Sequence, residues 1–202
     1  MAVQTTTSIP LVPSGVLTTT TPVRSSTAVQ HALPQSQSAA QLTITGTIIA
    51  GGPLSQSTIA AVNAAAVKTP SQWRRYIAYQ GEVKVGGGLA WRANNPGNLR
   101  GSSTKIGEVT GGVGKFAVFA TLEDGRAGQR ALYLDKYGDM SVTNAINKLT
   151  PPSENNTAKY LAELKNAGVD LDKDVKSQID LLMKAVAANE GLIAGTIIPR
   201  TP

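Results

Sequence analysis

Thr69-Pro70-Ser71-Gln72-Trp73-Arg74-Arg75-Tyr76-Ile77-Ala78-Tyr79-Gln80-Gly81 is the stretch on which the fold class turns. Thr followed by Pro reads as a helix N-cap with proline at the first helical position, where its missing N–H costs nothing. Trp73, Tyr76, Ile77 and Gln80 recur at helical spacing, and Gly81 supplies a C-terminal stop. The spacing predicts a helix over 70–81.

On the N-terminal side, Ser57 to Lys68 is Ala-rich and helix-compatible. Residues 1–40 are dominated by Thr, Ser, Gln, Pro and Val, with too few large apolar side chains to offset the entropy of ordering. Gly15–Thr21 and Gln41–Ile49 alternate like strands, the second with Leu42, Ile44 and Ile48 on one side. Residues 1–56 read either as an extended arm that becomes ordered against a partner or as a plain flexible linker. On the C-terminal side, 83–120 is Gly-rich, and Lys115-Phe116-Ala117-Val118-Phe119 alternates, which predicts loops and a small β-hairpin.

Capped helices follow. Thr121-Leu122-Glu123-Asp124 reads as a capping box with Asp for the usual Glu, opening a helix to about Tyr137. Ser141 opens another, ended by Pro151-Pro152. Asn156 or Thr157 opens a third, and Asp172 or Asp174 the last, with a stripe of Val175, Ile179, Leu182, Met183 and Val186. The fold class expected is mainly α (α+β): a helical domain over 57–202 with a small hairpin, behind an extended Thr/Ser-rich arm over 1–56.

Composition narrows the chemistry. The chain has 202 residues, 41% of them hydrophobic but only 4% aromatic, so its core is built from Val, Ile, Leu and Ala. There is no cysteine, which excludes disulfides, thiolate metal sites and a cysteine nucleophile. The single histidine, His31, sits in a Ser/Gln/Ala-rich stretch, so neither a zinc site nor a serine–histidine triad is expected, and no cofactor is implied. No apolar run reaches the roughly 18 residues that span a bilayer, and the first residues lack a basic and apolar leader. The net charge of +6 is uneven: Arg24, Lys68, Arg74 and Arg75 precede Glu82, the first acid of the chain. Such a basic arm suits an anionic cell wall or an acidic neighbouring protein. Nucleic acid ranks below both, because dense Lys/Arg runs are missing.

Gly111-Gly112-Val113-Gly114-Lys115 is not a phosphate loop, since its spacing is wrong and Phe116 follows the lysine. The informative stretch is Trp91-Arg92-Ala93-Asn94-Asn95-Pro96-Gly97-Asn98-Leu99-Arg100-Gly101. It is dense in turn formers. Its amides and arginines offer donors and acceptors to a sugar chain, or bond their own backbone.

Asn94-Asn95-Pro96-Gly97-Asn98-Leu99-Arg100 resembles the signature of a lysozyme-like or lytic-transglycosylase-like family of phage virion proteins. Phe116–Phe119 followed by Glu123-Asp124-Gly125-Arg126-Ala127, and Pro151–Tyr160, resemble further segments of it. Asn189-Glu190-Gly191 is loosely similar to its closing end of the last helix. The resemblance covers about 70–195.

It implies a lysozyme-like domain in a phage particle that degrades or binds peptidoglycan at the host envelope during entry. Residues 1–56 would then dock it to other virion proteins. The resemblance places the essential acid at the end of a helix before the hairpin, where this chain reads Tyr79-Gln80-Gly81-Glu82. A Glu at position 80 would be desolvated near a helix C-terminus, as a general acid requires; Gln cannot serve. Glu82 lies beyond the stop, about 200° round the helix from Gln80. Two readings stay open. Either Glu82 is the catalytic acid, with Gln80, Trp91, Asn94, Asn95, Asn98 and Arg100 lining the saccharide groove, or the domain is an inactive structural protein. No Asp or Glu lies between Val83 and Gly107, so an active form would work as a lytic transglycosylase with one carboxylate.

Overall fold

The computed structural model describes residues 40–153 and 156–201, which belong to the unit Ser38–Pro202. Most of the predicted arm, with Gly15–Thr21 and His31, and the pair Glu154 and Asn155 lie outside the described residues.

The expectation of a mainly α, lysozyme-like fold is overturned. The described residues form a mixed α/β structure with six helices and six strands in two sheets. A four-stranded sheet has the order β1-β2-β3-β6, from Thr45–Ile48 (β1), Arg75–Ala78 (β2), Glu82–Val85 (β3) and Thr196–Pro199 (β6). β1 runs parallel to β2, while β2–β3 and β3–β6 are antiparallel. Helix α1, Gln56–Val67, makes the crossover that a parallel pair needs.

The predicted helix over 70–81 is replaced by one 3-10 turn, Ser71–Trp73, and then strand β2. Tyr76, Ile77, Ala78 and Tyr79 are all buried. A short apolar run satisfies helical and fully buried strand patterns equally, and here both of its faces are covered. Tyr76 and Ala78, with Val83 and Val85 of β3, pack towards Val62 and Ala65 of α1. Ile77 and Tyr79 pack on the other side with Ala93 and Val118. Gly46 in β1 gives way to this arrangement, since a Cβ there would lie 2.2 Å from the Tyr76 ring.

The second sheet is the predicted hairpin, β4 (Gly107–Gly111) with β5 (Gly114–Val118). A short helix α2, Leu89–Arg92, leads into the Asn-rich turn. The helical half follows the sequence closely. Thr121 and Asp124 form the capping box of α3, Leu122–Tyr137. Ser141 caps α4, Val142–Leu149, and Asn156 caps α5, Thr157–Asn166. The last helix, α6, begins late, at Ile179–Asn189, because Asp174 instead accepts from Ser177 N at 2.8 Å in a preceding 3-10 turn. Val142, Ile146, Leu164, Val175, Leu182 and Val186 form the core of this half.

A candidate glycan cleft around Glu190

The Asn-rich turn is built by two left-handed asparagines, Asn94 at φ 54° and Asn98 at φ 47°. Asparagine tolerates that region better than other L residues. Asn95 is fully buried. Its Nδ2 donates to the carbonyls of Leu99 and Ala117, each at 2.9 Å, and its Oδ1 accepts from Leu99 N at 2.8 Å. Asn94 Nδ2 donates to the carbonyls of Phe119 and Ala120. These amides join the turn to the hairpin and to the start of α3. There Gly125 lets the helix approach, since a Cβ would lie 1.8 Å from the Asn94 carbonyl oxygen.

The residues proposed from sequence therefore fall into separate places. Gln80 is exposed at the tip of the β2–β3 hairpin, not on a helix. Glu82, Trp91 and Asn94 gather around a buried lysine that the sequence reading passed over. Lys84 Nζ donates to Asn94 Oδ1 at 2.5 Å, lies 4.9 Å from the Trp91 ring centroid and 3.9 Å from Glu82 Oε1. Burial pulls the Lys84 pKa down, against the opposing pull of Glu82. This is a cation held in an aromatic cage, a way to compensate a buried charge, and it leaves Trp91 and Asn94 occupied. Asn95 is turned wholly inward.

Asn98 and Arg100 face a different feature, a cleft of about 560 Å³ between the Asn-rich turn, the hairpin and helices α3, α4 and α5. Its acid is Glu190, at the C-cap of α6. Glu190 Oε2 accepts from Asn98 Nδ2 and Oε1 from the Tyr160 hydroxyl, both at 2.8 Å. Phe116, Tyr133, Tyr137 and Tyr160 supply aromatic wall, and Arg100, Lys136 and Lys148 supply charge. Burial chiefly, with Glu190 adding to it, raises the Tyr160 hydroxyl far above an ordinary phenol. Burial also pushes Tyr133 up to about 12.

Sequence reasoning saw Asn189-Glu190-Gly191 only as the end of a helix. One physical signal was available. A helix C-terminus carries partial negative charge and disfavours a carboxylate, so a Glu there, followed by the Gly that stops the helix, needs a reason of its own.

Among the described residues no group of three His, Asp or Glu side chains could hold a metal ion, and no helix is long and apolar enough to cross a membrane. No protein-family model and no curated protein matches the chain.

Proposed function

We propose that the protein acts on the glycan strands of peptidoglycan, with Glu190 rather than Glu82 as its working carboxylate. The observation that carries this reading is the placement of Glu190. It is the sole acid among the described residues lining the cleft, and Asn98 and Tyr160 fix both of its oxygens. Aromatic faces beside amides and a carboxylate suit a sugar chain, whose rings have apolar faces and hydroxyl edges. A virion setting at the host envelope rests on the resemblance of Asn94–Arg100 and the segments after it, and docking through the part of residues 1–56 that precedes β1 rests on its composition.

With one carboxylate, cleavage follows the transglycosylase course. Glu190 as the acid gives its proton to the glycosidic oxygen, and the C1–O bond breaks. The carboxylate then takes a proton from the sugar's own 6-hydroxyl, whose oxygen closes on C1. The acid is regenerated and no water is consumed.

A second reading has a specific observation behind it. Both Glu190 oxygens already have internal donors, so the carboxylate also serves as a tether between α6, α5 and the turn, and an inactive structural protein needs no more than that. Digestion of purified peptidoglycan, with mass spectrometry of the soluble products, separates the two. Release of anhydro-muropeptides by the wild type and by Glu82→Gln, but not by Glu190→Gln, is the expected result. If the wild type releases nothing yet cosediments with peptidoglycan, the silent binding reading stands. If Glu82→Gln alone abolishes release, the Glu190 assignment is wrong.

A further inference from the structure

The cleft has a charge pattern that bond cleavage does not use. Lys136 on α3 and Lys148 on α4 line it together with Arg100 of the turn, and both lysines are exposed. Several other surface lysines are neutralised by nearby acids. Lys105 and Lys115 reach Glu108, at 2.5 and 3.6 Å, Lys159 reaches Glu163 and Lys176 reaches Asp139. Lys136 and Lys148 have no such ion pair among the described residues. Glu190, the acid of the cleft, is already committed to Asn98 and Tyr160. The cleft therefore presents the two lysines, from two separate helices, over a fixed carboxylate, and low-dielectric walls concentrate their field inside it.

We infer that this cleft selects glycans carrying free carboxylates, read by Lys136 and Lys148, over neutral glycans of the same sugars. The inference rests on the glycan reading above and narrows it. In peptidoglycan the free carboxylates are those of the stem peptide, or of the lactyl ether where the peptide has been removed. A neutral N-acetylglucosamine polymer has none. A nucleic acid fits less well, because it brings a phosphate at every residue. That would call for a dense cation track and would set phosphates against Glu190.

The test is equilibrium binding to the full chain carrying Glu190→Gln, so that no probe is cut. Four probes are used: a muramyl disaccharide-peptide with free carboxylates, the same fragment with its carboxylates amidated, chitotetraose, and a twelve-residue oligothymidylate. The free-acid fragment is expected to bind most tightly. Lys136→Gln with Lys148→Gln is expected to weaken it about tenfold, about threefold for each exposed charge. The same pair should leave the amidated fragment and chitotetraose unchanged. Lys136→Arg with Lys148→Arg, which keeps the charge, should restore binding and so excludes a folding defect.

Equal binding of free-acid and amidated fragments, or indifference of the free-acid fragment to the double Gln variant, overturns this inference while leaving the glycan reading intact. Failure of all three glycans to bind overturns both. Tighter binding of the oligothymidylate, lost in the double Gln variant, assigns the cleft to nucleic acid and overturns both as well.

Discussion

Replacing Asn95 by alanine tests whether the Asn-rich turn is scaffold or saccharide contact. Three hydrogen bonds disappear together. Leu99 N–H loses its Oδ1 acceptor at 2.8 Å, and the carbonyls of Leu99 and Ala117 each lose an Nδ2 donor at 2.9 Å. The Leu99 carbonyl keeps Ala117 N–H at 2.8 Å, so the heaviest loss is the orphaned Leu99 N–H. A buried donor left unpaired costs about 1–3 kcal/mol, and the two donations to carbonyls contribute about 0.5–1.5 kcal/mol each. The sum is about 2–6 kcal/mol, a large share of the roughly 5–15 kcal/mol that holds a typical domain together. Urea unfolding followed by circular dichroism measures it, with the slope checked for constancy between variants. Asn95→Asp sharpens the test. It keeps the acceptor for Leu99 N–H but sets a charge against two carbonyl oxygens, so it should be at least as destabilising as alanine. A loss below about 1 kcal/mol for Asn95→Ala, with unchanged slope, would refute the reasoning and return Asn95 to the candidate sugar contacts.

Two further predictions concern the periphery of the fold and its alkaline behaviour. Arg200 closes the chain onto the loop after β1. Its guanidinium donates to the carbonyls of Ala50 and Tyr79 at 2.5 and 2.8 Å, and to those of Gly51, Gly52 and Pro53 at 2.6, 2.8 and 2.9 Å. Charge-assisted bonds contribute about 1.5–3 kcal/mol. Arg200→Ala should therefore cost about 2–4 kcal/mol and raise hydrogen exchange in Thr45–Ile48 and Thr196–Pro199; unchanged exchange there would show that the clamp is idle. Tyr133 ionises at about 12 in the fold against 10.0 for the ordinary phenol. Between those values the unfolded chain releases the proton first, so stability falls as pH rises, by up to about 1.4 kcal/mol per pH unit from this one group. Unfolding midpoints from pH 9 to 12 should decline less steeply in Tyr133→Phe than in the wild type, and parallel declines would contradict the assignment.

The helical half was legible in the sequence because its signals are local. Thr121, Ser141 and Asn156 each accept from a backbone N–H three residues on, and such a cap acts whatever lies across the fold. The β4–β5 hairpin and the turn over Asn94–Asn98 were legible for the same reason. The four-stranded sheet was not. Arg75–Ala78 becomes a strand because α1 covers one face and the α2–hairpin region covers the other, and an apolar run carries no mark of how many faces will be buried. β6 reaches the sheet only after the whole helical half has been laid down between it and β3.

The candidate site divides in the same way. The sequence alone marked Asn98 and Arg100, because an Asn-rich turn is conspicuous wherever it occurs. It also excluded cysteine chemistry, because composition is independent of conformation. Only the tertiary structure took Asn94 and Asn95 into the interior and set the half-buried Trp91 against Lys84. Only the tertiary structure brought Glu190 to Asn98, 92 residues away, since hydrogen-bond partners at that separation are set by how helices pack and leave no periodicity in the chain.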